Sequence, residues 1–405
     1  MTETVRWFGG ARWRGLRRQA RRIDAATPAG RDRAVDALRA FAILGVVLGH
    51  WLVTALVADG GTLRAASPLD PMPWLAPVSW MFQTLAVFFL VGGHVATKSL
   101  ESARAKGMGY GKWLGARLSR LFAPVAAVLV LWAVAAGGLL LTGAEFTTVH
   151  TLVKLALSPL WFLVVFAALT AATPLLTRVT PLWPLAVVLY VDLFRFGLGG
   201  PDALGWVNLA AGWLVPYTLG AAWTRGELEG PRAGWVLLAG GVSATAGLVV
   251  FAGYPASMVG VPGAGVSNLN PPTLAAVTFG VAQCGAALLL RGPLRRGMRR
   301  PVLWAGVAVA NLSAMTIFLW HQTAMMATTA TGLLVGRLPG LHTRPDNLTW
   351  VAARLAWLPV FAVVLALCWM AFRSREQGGT GRRSRVIRSH SGAAKLPTGG
   401  PRVDA

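Results

Sequence analysis

The stretch "RAVDALRAFAILGVVLGHWL", residues 33–52, decides the fold. It is apolar enough to be the core of a bilayer-crossing helix, yet it carries Asp36, Arg39 and His50. At 100° per residue, the step from Arg39 to His50 returns to within ~20° of the starting face, with a rise near ~16 Å. Asp36 precedes Arg39 at i,i+3 spacing, which suits an ion pair on that same face. The three polar groups therefore form one stripe on an otherwise greasy helix. Ionisable side chains in a membrane usually face a bundle interior or a wet cavity. Asp36 and Arg39 read either as functional groups or as a snorkelling interfacial pair that fixes topology. His50 reads either as a functional group or as a neutral histidine hydrogen-bonded to a neighbouring helix.

Composition extends this membrane reading to the whole chain. Of 405 residues, 55% are hydrophobic and 13% charged, with a mean hydropathy of +0.56; soluble domains carry roughly 25% charged residues. The net charge of +23 would suit nucleic acid taken alone. The basic residues, however, sit in short clusters between long apolar runs, so no nucleic-acid partner is expected and the lipid bilayer is. Cys284 and Cys368 each lie in an apolar run and support neither a disulfide framework nor a thiol metal site. The start of the chain has no apolar core of a signal peptide; "VRWFGGARWRGLRRQARRI", residues 5–23, reads as a membrane-surface helix or as a disordered tail.

Windows of about 20 mostly apolar residues mark ten spans, near 37–57, 79–97, 121–142, 157–176, 182–195, 204–223, 233–252, 272–290, 303–327 and 351–372. Alternating them puts both termini on one side, which then collects 32 of the 38 Lys and Arg residues. By the positive-inside rule that side is cytoplasmic. The expectation is an all-α polytopic protein of the plasma membrane with ten transmembrane helices and both termini cytoplasmic. It divides into a basic tail over 1–35, a membrane domain over 36–373 and a disordered tail over 374–405. The short fifth window holds Asp192 and Arg195, read as an ion pair or, alternatively, as acceptor ligands. One outer segment, "GYPASMVGVPGAGVSNLNPP" at 253–272, is long and uncharged, as functional or disordered loops are.

"VDALRAFAILGVVLGH" resembles the opening signature of the membrane-bound acyltransferase 3 family, an Arg, ten residues, then a His, matched here by Arg39 and His50. "VFFLVGGHVAT" (87–97), "PLWFLVVFAALTAATPLL" (159–176) and "IFLWHQTAM" (317–325) resemble its later span motifs in order. "VDLFRF" and "MVGVPGAGVSNLNPPTLA" look like blocks of a subgroup, so the resemblance runs from about 33 to 372. Two departures stand out: Gly92 and Gly93 where the family commonly has Ser-Gly, and no appended esterase-like domain after the last span.

The resemblance implies transfer of an acyl group, commonly acetyl, from cytoplasmic acyl-CoA to a hydroxyl of an exported or membrane-linked carbohydrate, glycolipid or glycosylated metabolite of the cell envelope. A thioester is already activated, so such an enzyme needs chiefly a base for the hydroxyl and a donor for the oxyanion. His50 is then the general base, because imidazole titrates near neutrality. Arg39 holds the phosphate or pantetheine groups of CoA and Asp36 orients it. His321 lies about 27 Å along its span, towards the outer half. It reads as an acceptor ligand or proton relay, or as a packed polar residue. Gln322 and Trp320 flank it over a groove, Trp161 and Phe162 wall the cavity, and His94 either packs or touches CoA. His150, His342 and His390 are expected to be solvated. No metal is expected, because no carboxylate or Cys stands at ligand spacing from the intramembrane histidines. Two rivals remain: a transporter or flippase for a polar envelope precursor, and a non-catalytic scaffold.

Overall fold

The computed structural model describes residues 15–262 and 265–391, with side chains described to residue 372. The first residues of the basic tail and residues 392–405 lie outside the described residues, so the expectations for those segments stand where they were. The chain is predominantly helical. In order come α1 (15–25), α2 (Arg33–Val53), a hairpin of β1 (Ala55–Asp59) and β2 (Thr62–Ala66), and the short α3 (Ala76–Ser79). Then follow α4 (Leu85–Ala105), α5 (Tyr110–Phe122), α6 (Val125–Leu141), α7 (Phe146–Leu157), α8 (Leu160–Leu176) and α9 (Leu182–Asp192). The last six are α10 (Val207–Thr224), α11 (Pro231–Phe251), α12 (Leu274–Gly297), α13 (Pro301–Leu312), α14 (Ala314–Leu333) and α15 (Leu348–Ser391).

By length and composition six helical units can cross a bilayer, counting α5–α6 and α7–α8 as one each, and the α13–α14 pair makes a seventh although it is bent by 75°. The chain is therefore a multi-pass membrane protein. The three remaining windows of the ten correspond to α4, α9 and α10.

Four expectations are corrected here. The fold is not purely α, because the first span ends at Val53 and residues 55–66 form a hairpin. Its turn is Gly60-Gly61, both at positive φ, which is the two-residue connection that a twisted hairpin favours. Residues 15–35 are folded rather than a loose tail: Thr27 Oγ1 accepts from Trp304 Nε1 at 2.8 Å, and Arg33 reaches Asp24 at 2.5 Å while lying over the Trp304 ring. Helical backbone continues past the boundary drawn at 374, to Ser391. His342 is buried, not solvated, with its Nε2 2.8 Å from the Thr329 carbonyl.

Close backbone approach holds the bundle together. In α4 a Cβ on Gly93 would run into the Tyr217 carbonyl, and in α10 a Cβ on Gly220 would meet Leu90 O and His94 N. Small residues at such seams let helices touch where no hydrophobic drive separates them from lipid. Gly92 is explained in the same way: a side chain there would collide with the Phe166 ring. Asp32 caps α2 through Ala34 N and Val35 N and also pairs with Arg291 and Arg295 at the end of α12. Burial opposes its ionisation, but the hydrogen bond and charge of Arg291, with Arg295, hold its carboxyl below the usual range.

These contacts define two ends. The basic end gathers the start of α2 and the ends of α4, α8, α10 and α12, where Arg225 bonds the Thr177 carbonyl and Arg291 pairs with Asp32. The loop end gathers the hairpin, α3 and the 253–272 segment, where Trp80 Nε1 donates to Ala256 O at 2.8 Å and Gln83 Nε2 to Met258 O at 3.1 Å. Asp192 anchors the base of that segment, accepting from Leu274 N at 2.6 Å, Tyr254 Oη at 3.1 Å and Asn208 Nδ2 at 2.8 Å. The expected Asp192–Arg195 ion pair is present at 3.9 Å.

Candidate active site

Two cavities lie back to back in the bundle. The larger, about 430 Å³, faces the basic end and is lined by Arg39 of α2, Arg117 and Arg120 of α5, Thr170 of α8 and Asn311 of α13, among others. The other, about 280 Å³, faces the loop end and is lined by His50, Gln322, Trp161, Ser158, Gln83 and Asn270 with apolar neighbours. Among the described residues no Lys, Arg, Asp or Glu lines this second cavity. Phe162 of α8 and Phe318 of α14 line both, their ring centroids 5.2 Å apart. The partition between the chambers is therefore aromatic.

In the basic chamber, Arg39 donates from Nε to Asn311 Oδ1 at 2.6 Å and from Nη2 to the Asn311 carbonyl at 3.2 Å. Asn311 in turn donates from Nδ2 to the Asp36 carbonyl at 2.7 Å. The carboxylate of Asp36 pairs instead with Arg31, at 2.6 Å. The expected Asp36–Arg39 pair is thus replaced by an asparagine brace on a different helix. The reason is the break between α13 and α14. Asn311 spends its side chain on α2 and on Val307 O, while Ser313 accepts from Trp369 Nε1 at 2.6 Å. Side chains that satisfy backbone or neighbouring groups in this way favour helix ends over helix interiors. Arg117 and Arg120, one turn apart on α5, add two more guanidinium groups that the sequence reading passed over. Their signal was the i,i+3 pair in "ARLSRLF" on a helix that changes from basic to apolar.

The bent α13–α14 pair brings His321 to His50, a pairing the sequence reading did not draw. The two imidazoles stand side by side, ring centroids 5.1 Å apart. His50 lies in the last turn of α2, towards the loop end. Its Nδ1 is 3.0 Å from Gln322 Nε2. His321 is fully buried, with Nδ1 2.6 Å from the Phe318 carbonyl. A carbonyl only accepts, so Nδ1 carries the proton and Nε2 the lone pair, and that Nε2 has no hydrogen-bond partner among the described residues. The Gln322 Oε1 is likewise buried without one.

Trp161 and Gln322 therefore stand at the loop-end chamber with His50, and His321 stands directly behind it. Trp320 turns away, stacked on Phe372 at 4.0 Å rather than lining a groove. His94 lies outside both chambers, stacked on Trp223 at 4.1 Å with Thr224 Oγ1 2.9 Å from its Nδ1. Of the two readings given for it, these contacts are those of a packed residue. Arg354 is a missed residue of another kind. Fully buried on α15, it donates to Trp51 O at 2.6 Å, Thr54 O at 2.6 Å and Gly340 O at 2.9 Å, so it caps the end of α2 one turn beyond His50. Its charge also faces the negative end of that helix.

Fold and site together define a multi-pass helical membrane protein with a basic chamber and an uncharged, histidine-walled chamber meeting at an aromatic partition. The acyltransferase 3 family model, an acyltransferase domain, matches residues 32–373, and the chain belongs to that family of acyltransferases. No curated protein and no solved structure matches the chain.

Proposed function

We propose that this acyltransferase takes an acyl group, acetyl in the first instance, from cytoplasmic acyl-CoA and gives it to a hydroxyl of a carbohydrate, glycolipid or glycosylated metabolite at the opposite face of the plasma membrane. The observation that carries the reading is the back-to-back pair of chambers, arginines in one and His50 in the other. Ten spans with both termini cytoplasmic complete the proposal, since they put the basic end, where Arg39, Arg117 and Arg120 lie, towards the donor. Guanidinium groups suit phosphates, which they grip bidentately. The loop-end chamber offers uncharged hydroxyl and amide groups beside the Trp161 indole, a lining suited to a neutral polyol.

The chemistry needs one proton moved each way. Turning the Gln322 amide over presents its unpartnered Oε1 to His50 Nδ1, which keeps the proton there and leaves the lone pair on Nε2. Nε2 takes the acceptor hydroxyl proton as the oxygen attacks the thioester carbonyl. The tetrahedral intermediate collapses with cleavage of the C–S bond, and the proton on Nε2 passes to the departing CoA sulfur. An ester and free CoA thiol result, and His50 ends neutral as it began. His321, with its bare Nε2 next to His50, is placed to steady the transient positive charge.

The test is acyl transfer by the purified full-length protein in lipid vesicles. Released CoA thiol and labelled product are measured with and without glycan acceptors. His50-dependent acyl-CoA consumption is expected. Uptake of a labelled envelope precursor with no dependence on acyl-CoA would overturn the reading in favour of a transporter.

A further inference from the structure

We infer that Phe162 and Phe318 form an acyl-selecting gate, and that it admits short acyl groups and rejects long ones. The inference rests on the reading of the basic chamber as the donor site.

Arg39, Arg117 and Arg120 line only the basic chamber, and His50 and Gln322 line only the other. A donor held by the arginines must bring its thioester carbon within bonding reach of a hydroxyl that His50 has deprotonated. The acyl group therefore has to pass the shared wall. That wall is two rings in contact, Phe162 and Phe318 at 5.2 Å between centroids, and such a separation leaves no gap for a chain.

The two rings are not held alike. Phe162 is packed from several sides, edge-on to Phe88 at 5.0 Å and to Phe89 at 5.1 Å, and stacked on Phe166 at 6.1 Å. Phe166 is itself seated where Gly92 has no side chain. Phe318 follows the α13–α14 break by one turn, with its ring over the chambers and its carbonyl on His321 Nδ1. Rotation of the Phe318 ring about its own side-chain bonds thus opens the wall without moving the backbone that holds His321. Each added methylene needs more of that opening, and close-packed aromatic surroundings penalise extra volume steeply.

Binding of unreactive thioether analogues isolates the gate from catalysis and from the identity of the acceptor. The probes are S-ethyl-CoA and S-hexyl-CoA, titrated calorimetrically into the full-length protein in detergent. Wild type is expected to bind the ethyl analogue at least about tenfold more tightly. Phe318→Leu and Phe162→Ala are expected to reduce that ratio to about threefold or less. Acyl-CoA turnover is expected to follow, with hexanoyl gaining on acetyl. Equal affinity for both analogues in wild type would overturn the gate. So would an unchanged ratio in either variant that still binds S-ethyl-CoA. Phe318→Leu conserves most of the ring volume and gives the answer if Phe162→Ala does not fold. An Arg117→Gln protein separates the two levels. If it loses S-ethyl-CoA affinity while the length ratio is indifferent to both phenylalanines, the donor site stands and only the gate falls. If wild type binds neither analogue, donor site and gate fall together.

Discussion

Asn311 is the residue whose replacement reports most sharply on how the basic chamber works. Its side-chain oxygen takes the Nε proton of Arg39 at 2.6 Å and its carbonyl takes Nη2 at 3.2 Å. Its amide nitrogen holds the Asp36 carbonyl at 2.7 Å. Asn311→Ala removes the first and third of these contacts and leaves the second. A hydrogen bond from a charged group contributes about 1.5–3 kcal/mol, so losing the Nε contact that aims the guanidinium should raise the KM for acyl-CoA by about one to two decades. The effect on kcat should be smaller, since the reacting atoms are in the other chamber. Asn311→Asp keeps an acceptor for Arg39 and should restore most of the donor KM. The decisive form is a double-mutant cycle with Arg39→Gln, read as initial rates of CoA release across donor concentrations. If Asn311 acts through Arg39, the double variant is scarcely worse than Arg39→Gln alone. Penalties that simply add would refute the positioning role.

Gly93→Ala should lower the midpoint of thermal unfolding in detergent, because the new methyl meets the Tyr217 carbonyl and overpacking costs about 1–3 kcal/mol. Arg354→Met should destabilise strongly, leaving the Trp51, Thr54 and Gly340 carbonyls short of a donor, and Arg354→Lys should rescue little because one ammonium cannot span the three; unfolding midpoints check both. His94→Leu should keep acyl transfer within about threefold of wild type while losing its Thr224 contact and some stability, as surface-independent packing changes do. A loss of turnover in a well-folded His94→Leu protein would return that residue to the donor path.

The helical membrane class was legible because apolar runs and Arg clusters are one-dimensional signals. The Arg39-to-His50 spacing was legible because it depends only on the geometry of a single helix. Trp161 and Gln322 were singled out as parts of local motifs, and both line the cavity that His50 lines. What escaped the sequence depends on how helices meet. Asn311 replaced Asp36 as the brace for Arg39 because a bend between α13 and α14 turns it towards α2, and no proline marks that bend. The pairing of His321 with His50 likewise depends on how α14 meets α2. The hairpin was hidden by extending an apolar window to residue 57, although "ADGGT" carried the turn signal. Arg117, Arg120 and Arg354 were each counted as topology charges. Only the fold separates an arginine facing a cavity, or a buried helix cap, from one at the lipid surface.

The central claim is that His50 is the base that links the two chambers. The direct measurement is acyl transfer by His50→Ala in vesicles, beside S-ethyl-CoA binding by the same protein. The account predicts a loss of about 10²–10⁴ in turnover, the usual worth of a positioned general base, with donor affinity close to wild type. A His50→Ala protein that binds the analogue normally and still transfers acyl groups at the wild-type rate would contradict it.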